Sequence, residues 1–218
     1  MQKTTIILVR HGETQWNRER RFQGHSDSPL TGLGRAQAKQ VAERLAMEGV
    51  EAIYSSDSGR AFSTASFIGN RLGLPVIPKV QLREILVGKW EGLYIQEIKE
   101  RYAEEYAAWA KDQTLARGGG ETRLQLRERA WGAITDIIAE NPNRTVVVVS
   151  HGGTLQAIIS SVLSIPLEKW HGLRGMENCA MTWLELEEGD WIRLKRYNVL
   201  AFGVAPIGDV EDELGEAQ

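Results

Sequence analysis

Short apolar runs alternate along this chain with longer segments in which apolar residues recur every three or four positions. The runs have the length and the β-branched content of buried strands, whereas the longer segments have the periodicity of amphipathic helices. The predicted strands are residues 4–9, 52–55, 75–78 (an edge strand, because it contains two prolines), 146–149, and a closing hairpin of residues 180–186 and 191–197 around 188–190. The predicted helices are residues 34–48, 58–72, 95–110, 122–140 and 155–163.

Strands that alternate with helices are typical of a mainly parallel sheet with helices on both faces. We therefore predict an α/β fold, a three-layer α/β/α arrangement with a mixed sheet and a small helical cap insertion. The cap is placed at about residues 86–120, which contain the polar helix and a glycine-ended loop. A length of 218 residues fits one domain over residues 1–207.

Composition narrows the class of protein. Lys and Arg number 26 against 29 Asp and Glu, a net charge of −3 without a concentrated basic stripe, so no nucleic-acid partner is expected. No apolar run is long enough to span a membrane, and no membrane partner is expected. Residues 208–218 hold five acids and no Lys or Arg, which predicts a disordered, solvated tail.

Cysteine content indicates the cellular compartment. The single cysteine, Cys179, excludes an intrachain disulfide framework and is expected to be a small buried apolar residue. Residues 1–9 contain no apolar core of the length that a signal peptide needs. These features predict a cytoplasmic protein.

The most informative feature is a local repeat. Residues 6–14 and 146–154 each contain four apolar strand-forming residues, one polar residue, and then His-Gly-X-Thr. Carboxyl ends of strands in such a sheet lie at the ligand-binding edge. His11 and His151 are thus predicted to meet there, each followed by a glycine that lets a ligand approach the backbone. One such histidine alone would be an ordinary loop residue, but two in the same context favour a site.

Two arginines indicate the ligand. Arg10 ends the first strand, and Arg60 lies in the first turn of a predicted helix, where a cation opposes the helix dipole. Arginines beside helix N-termini form phosphate-binding sites through bidentate hydrogen bonds. Arg60 as an ordinary surface arginine is the alternative.

These and further motifs together resemble the histidine phosphatase superfamily, in its phosphoglycerate-mutase-like branch. The resemblance runs in order from about residue 4 to residue 200. It is carried by Arg10-His11-Gly12-Glu13-Thr14, Trp16-Asn17, Gln23-Gly24, Asp27-Ser28-Pro29-Leu30-Thr31, Ser55-Ser56-Asp57 with Arg60-Ala61, Arg83-Glu84 with Gly88-Lys89-Trp90-Glu91-Gly92, and Ser150-His151-Gly152.

The resemblance implies a phosphohistidine mechanism. His11 is then the nucleophile, Arg10, Arg60 and His151 bind the phosphoryl oxygens, and Glu84 is the general acid and base. An exposed ion pair with Arg83 is the alternative for Glu84. The resemblance also implies substrate binding by Asn17, Gln23, Gly24 and Gly152.

No cofactor or metal is expected, because metal-ligand motifs are missing and two arginines would share the pocket with a cation. Four residues are predicted to have only structural roles: His25 and His171 as surface or packing residues, Asp27 as a turn former, and Cys179.

The predicted reaction is hydrolysis of a small-molecule phosphomonoester. A cofactor-dependent phosphoglycerate mutase is the alternative within the family, but the segment from Glu84 to Gly118 lacks the adjacent basic pair that such mutases carry. A non-catalytic phosphate-binding module is a further alternative, and the complete residue set argues against it. Phosphoserine, 3-phosphoglycerate, sugar phosphates and nucleoside monophosphates all remain open as substrates. The predicted edge hairpin suggests a homodimer.

Overall fold

The computed structural model describes residues 3–186 and 191–201. The predicted turn at residues 188–190 and the predicted tail at residues 208–218 lie outside these ranges. Six strands form one sheet: β1 (Thr4–Arg10), β2 (Ala52–Ser55), β3 (Val76–Pro78), β4 (Thr145–Ser150), β5 (Met181–Leu186) and β6 (Ile192–Val199).

The sheet has the strand order β3-β2-β4-β1-β5-β6. The first four strands in this order are parallel, and β5 and β6 are antiparallel, so the predicted mixed sheet, proline-containing edge strand and closing hairpin strands are confirmed. The register pairs Arg10 with Ser150 at the ends of β1 and β4. The residues that follow, His11 and His151, therefore leave the sheet side by side.

Seven α-helices surround this sheet in the described chain: α1 (Gln15–Glu19), α2 (Gly32–Leu45), α3 (Gly59–Leu72), α4 (Ile95–Arg101), α5 (Ala103–Lys111), α6 (Arg123–Glu140) and α7 (Gly152–Val162). Successive side chains of a strand point to opposite faces. Ile7 and Val9 accordingly pack in a core with residues of α2 and α3, whereas Ile6 and Leu8 pack in a second core with residues of α6 and α7. These two cores make the three-layer α/β/α fold.

The helix predicted over residues 95–110 is wrong as a single element. The backbone of Tyr102 leaves the helical region, with φ −132° and ψ 40°, and separates α4 from α5. Its ring packs against the second core, together with Trp90 and Trp109. Helical periodicity alone could not predict this break, because both halves continue the same apolar pattern.

Two helices begin earlier than predicted. The Thr31 hydroxyl accepts a hydrogen bond from Gly34 N–H and caps α2, which starts at Gly32. Helix α7 starts at Gly152 rather than at Leu155, because a carboxylate distant in sequence caps its first turn.

Two further findings concern the chain as a whole. Cys179 is buried, as predicted. In residues 3–186 and 191–201, none of the helices combines the length and the apolarity that crossing a bilayer requires.

Candidate active site

The ends of β1 and β4 bring the two predicted histidines together. The rings of His11 and His151 lie edge to face, with their centroids 5.2 Å apart. Both side chains are buried, at 3% and 0% exposure. Burial and the nearby positive charges of Arg60 and Arg10 hold the pKa of each histidine well below 6.5, so both rings are neutral near neutral pH.

The hydrogen bonds of His11 fix its tautomer. Nδ1 lies 2.8 Å from the carbonyl oxygen of Gly12, which can only accept, so Nδ1 carries the proton. The Nε2 lone pair is then available for a bond to an electrophile. The backbone around the ring is also held, because Asn178 Nδ2 donates to the His11 carbonyl at 2.9 Å and Thr64 Oγ1 accepts from Gly12 N–H at 3.0 Å.

His151 has the opposite tautomer. Arg60 Nε donates to His151 Nδ1 at 3.1 Å, so this nitrogen is an acceptor and the proton of the neutral ring is on Nε2. Nε2–H donates to Ser56 Oγ at 2.8 Å. Nε2 therefore carries a proton in His151 and is a hydrogen-bond donor, whereas Nε2 of His11 carries none.

Arg60 is only 1% exposed. Four hydrogen bonds from its guanidinium and one from its backbone N–H hold it in place. Besides the bond to His151, its guanidinium donates to the carbonyl oxygens of Gly24 and Ser26 and pairs with Asp27 Oδ1 at 3.0 Å. Asp27 also accepts from the backbone N–H of Arg60. The prediction that Asp27 only forms a turn is therefore wrong, because the aspartate neutralises and orients Arg60. The pair could not be predicted from a local pattern, since 33 residues separate the two.

Three predicted ligand-binding groups surround the histidines. Arg10 Nη1 donates to the Met176 carbonyl at 2.5 Å, and its guanidinium packs on Gly152 at the first turn of α7. Asn17 Oδ1 accepts from the Thr14 backbone and hydroxyl, which fixes the amide. Among the described residues, none accepts from Asn17 Nδ2 or from Gly152 N–H, so both donors can bind an anion.

The loop at residues 23–26 contacts two residues of the site. Gln23 Oε1 lies 3.2 Å from the Thr14 hydroxyl oxygen, and the Gly24 carbonyl oxygen accepts from Arg60. Glu91 accepts from the backbone N–H groups of His25 and Ser26 at 2.8 and 3.1 Å and thereby clamps this loop. Gly24 has φ +56°, a backbone conformation that favours glycine. A Cβ atom at this position would also collide with the Glu91 carboxylate.

His25 is more than the surface or packing residue that was predicted. Its Nε2 lies 2.9 Å from the backbone carbonyl oxygen of Glu84, so this ring joins the 23–26 loop to the general-acid candidate. No local pattern predicts this contact, because 59 residues separate the two.

Glu84 caps helix α7. Its Oε2 accepts from Gly153 N–H at 2.9 Å, and its Oε1 accepts from Thr154 N–H at 3.1 Å and from Ile85 N–H at 2.8 Å. The alternative of an ion pair with Arg83 is wrong, because Arg83 forms a bidentate pair with Asp57 at 2.6 and 2.7 Å. The carboxyl group is thus placed beside the turn that follows His151.

The site combines an unprotonated nucleophilic nitrogen, two guanidinium groups, free amide donors and a carboxyl group. In the described ranges, no group of three or more His, Cys, Asp or Glu side chains could hold a metal ion. Such a collection of donors suits a phosphoryl group, whose charge is spread over its oxygens during transfer.

Comparison with known proteins agrees with this chemistry. Residues 6–199 match the histidine phosphatase superfamily (branch 1). A glucosyl-3-phosphoglycerate phosphatase of Mycobacterium tuberculosis (strain CDC 1551 / Oshkosh) is 36% identical over 199 residues, which are 88% of each chain. A protein of Enterobacter sp. (strain 638) named probable phosphoglycerate mutase GpmB is 36% identical over 194 residues, or 86% of this chain and 87% of the relative.

A solved structure gives the same result. The mycobacterial glucosyl-3-phosphoglycerate phosphatase in complex with VO3 superposes with a TM-score of 0.81 at 36% identity, covering 89% of this chain and 98% of that one. The predicted fold class is confirmed, as is the prediction of a phosphatase that acts on small phosphate substrates. The chain belongs to the histidine phosphatase superfamily, branch 1.

Proposed function

We propose that this protein hydrolyses small phosphomonoesters through a phosphohistidine formed on His11. The observation that carries the proposal is the state of this ring: it is buried, neutral, and protonated on Nδ1 by the fixed bond to Gly12 O. Nε2 therefore needs no base to activate it for attack on phosphorus.

In the first step, the Nε2–P bond forms and the ester P–O bond breaks. Protonated Glu84 gives its proton to the leaving oxygen. In the second step, Glu84 takes a proton from water as the water oxygen bonds to phosphorus, and the N–P bond breaks to return His11 and release inorganic phosphate. General acid–base catalysis of this kind raises a reaction rate by roughly 10²- to 10⁴-fold.

The other predicted groups stabilise the transferring phosphoryl group. Arg10 and Arg60 supply positive charge, and the Nε2–H of His151, which donates to Ser56 Oγ in this structure, supplies a neutral donor close to the nucleophile once it turns to the phosphoryl group. Preorganised donors of this kind usually account for most of the catalysis of phosphoryl transfer. We assign phosphate hydrogen bonds to Asn17 and Gly152, and the shaping of the substrate cavity to Gln23 and Gly24.

The segment of residues 86–120 is proposed to cover the substrate as a cap. The relatives' names suggest substrates built on phosphoglycerate, either a glucosylated form or phosphoglycerate itself. A mutase that returns the phosphate to a second oxygen is the other candidate function, because relatives of both names match at the same 36% identity. Cytoplasmic location, a homodimer and independence of metals remain predictions.

The deciding experiment measures phosphate release from p-nitrophenyl phosphate in excess EDTA for the unaltered protein and for His11→Ala. We expect release from the unaltered protein in chelator and a loss of roughly 10⁴-fold or more in the variant, as for removal of other catalytic nucleophiles. Release that persists in His11→Ala would contradict the role of this ring. No release from either protein would overturn the phosphatase proposal, and turnover of 3-phosphoglycerate with a bisphosphate primer would then support the mutase.

A further inference from the structure

Helix α2 buries one polar side chain on its apolar face, that of Gln37. The other residues that this helix buries are small or apolar: Gly34, Ala38, Val41, Ala42 and Leu45. Gln37 is only 4% exposed. Glutamine is rarely buried to this degree, and a buried amide is normally held by hydrogen bonds. The group that Gln37 binds therefore indicates its role.

Gln37 binds the backbone beside the nucleophile. Its side-chain oxygen, Oε1, accepts from the Glu13 N–H at 2.9 Å. A backbone N–H only donates, so the amide atom that faces it is the oxygen and not the nitrogen. The bond is buried, and its loss would leave a desolvated backbone donor in the interior.

The Glu13 N–H belongs to the same peptide group as the carbonyl that holds the His11 ring. The Gly12 carbonyl oxygen lies 2.8 Å from His11 Nδ1. The Gly12–Glu13 peptide bond is trans, so its C=O and its N–H point in opposite directions, and fixing one direction fixes the other. Glycine leaves this peptide free to rotate, because it has no Cβ atom to restrict the backbone. Gln37 supplies the restriction that Gly12 lacks.

The start of α2 packs tightly on this peptide and so keeps Gln37 within reach of it. A Cβ atom at Gly34 would lie 2.0 Å from the Glu13 carbonyl oxygen, and one at Gly12 would lie 2.5 Å from the Gly34 carbonyl oxygen. The Thr31 N–H, at the N-cap of α2, also donates to the Glu13 carbonyl at 2.9 Å. The helix and the segment after His11 therefore form one rigid unit.

We propose that Gln37 is a positioning residue for the nucleophile: it turns the Gly12 carbonyl oxygen towards His11 and thereby keeps the ring proton on Nδ1. This inference rests on the proposed function, in which an unprotonated Nε2 attacks phosphorus. If the peptide turned its N–H to the ring instead, Nδ1 would accept and the proton of the neutral ring would be on Nε2, where it blocks attack. His151 has this second tautomer, because a donor faces its Nδ1.

The first test measures the tautomer of His11 by nitrogen NMR of protein with isotope-labelled histidine rings. The chemical shift of a ring nitrogen distinguishes its protonated from its unprotonated form, and His11→Asn assigns the His11 signals among those of the four histidines. We expect a protonated Nδ1 and an unprotonated Nε2 near neutral pH. Gln37→Met, which replaces the amide by a thioether and a methyl group, should add a form with the proton on Nε2. Gln37→Glu keeps an oxygen acceptor at the same reach and should keep the tautomer.

The second test measures the rate of transfer to His11 by single-turnover release of p-nitrophenol from p-nitrophenyl phosphate. Gln37→Met should slow this step by roughly 10- to 100-fold, because a misaligned reacting atom loses the geometry of attack. KM should change little, since Arg10 and Arg60 are unaltered, and Gln37→Glu should restore most of the rate. A purely structural role would lower the fraction of active protein but would leave the tautomer of that fraction unchanged.

The matched control is Gln40→Met, because Gln40 is an exposed glutamine of the same helix. This variant should keep both the tautomer and the rate. If Gln37→Met does not fold, Gln37→Asn takes its place under the same criteria, because it withdraws the amide oxygen by one methylene group.

Three outcomes would overturn the inference: a proton on Nε2 of His11 in the unaltered protein, an unchanged tautomer and rate in Gln37→Met, or the same loss in Gln40→Met. The two measurements also separate the two proposals. If hydrolysis depends on His11 while the tautomer does not depend on Gln37, only this inference fails. If no phosphate is released while the tautomer depends on Gln37, only the proposed reaction fails.

Discussion

The segments at residues 10–14 and 150–154 share the pattern His-Gly-X-Thr and the same place at the ends of paired parallel strands, yet their histidines differ chemically. His11 carries its proton on Nδ1 and offers a bare Nε2. His151 accepts at Nδ1 from Arg60 and carries its proton on Nε2. The chain after His11 turns and packs against α2, whereas the chain after His151 enters α7 directly.

The difference shows that a local motif places an imidazole but does not decide its role. The partner of Nδ1 decides the tautomer: a carbonyl oxygen leaves one ring with an unprotonated Nε2, and a guanidinium leaves the other with an Nε2–H donor. Arg60, which sets the tautomer of His151, is itself fixed by Asp27 and by the loop that Glu91 clamps. Three distant segments therefore distinguish two segments that share the pattern His-Gly-X-Thr.

The largest expected effect that separates the histidines concerns activity. His151→Asn should lower kcat by roughly 10²- to 10³-fold, because it removes one preorganised donor to the transferring phosphoryl group. It should still form an acid-labile phosphohistidine, whereas His11→Asn should form none. Rapid quenching with a radiolabelled ester measures both. Loss of the covalent label in His151→Asn, with His11 intact, would make the two rings equivalent and contradict the distinction.

A smaller effect concerns the glycines that follow each histidine. An alanine Cβ at residue 12 would lie 2.5 Å from the backbone oxygen of Gly34, which cannot move aside, whereas at residue 152 it would lie 3.5 Å from the Arg10 side chain. Gly12→Ala should therefore cost about 1–3 kcal/mol of unfolding free energy, as overpacking usually does. Gly152→Ala is the matched control and should change it by less than about 0.5 kcal/mol. Urea unfolding measures the free energy of unfolding of both variants. Equal losses of this free energy would contradict the difference in packing at the two glycines.

The smallest effect tests the lowered pKa that the two histidine rings share. Because their folded-state pKa values lie below the ordinary value of 6.5, the unfolded chain binds more protons below that pH, and stability must fall as the pH decreases. Each histidine contributes at most about 1.4 kcal/mol per pH unit. Urea unfolding between about pH 6.5 and 5.5 should show a shallower slope for His11→Asn than for the unaltered protein. An unchanged slope would mean that His11 is protonated in the folded state.

Most of the fold could be predicted because strands β1 and β4 are continuous apolar runs and the helices keep a regular period. The exceptions depend on tertiary contacts. Tyr102, where the helical pattern is interrupted, packs against a core, and α7 begins three residues early because Glu84 supplies its cap. Glu84 is far in sequence from the helix that it caps.

The candidate site divides in the same way. Strand ends, glycines and family motifs were enough to identify His11, His151, Arg10, Arg60 and Glu84, because each lies in a local pattern. Asp27 was predicted only to form a turn. Its contact with Arg60 appears only in the folded chain, where the aspartate carboxylate accepts from the guanidinium.

The sequence by itself therefore determined the alternating α/β architecture, the sheet edge at which two His-Gly segments meet, and the family. Apolar periodicity and strand direction are local properties, and they suffice for these conclusions. Tertiary structure alone decided the tautomer of each histidine and the carboxylate that pairs with Arg60. Tautomers and charge partners depend on atoms within about 3–5 Å, and folding brings those atoms together from positions far apart in the chain.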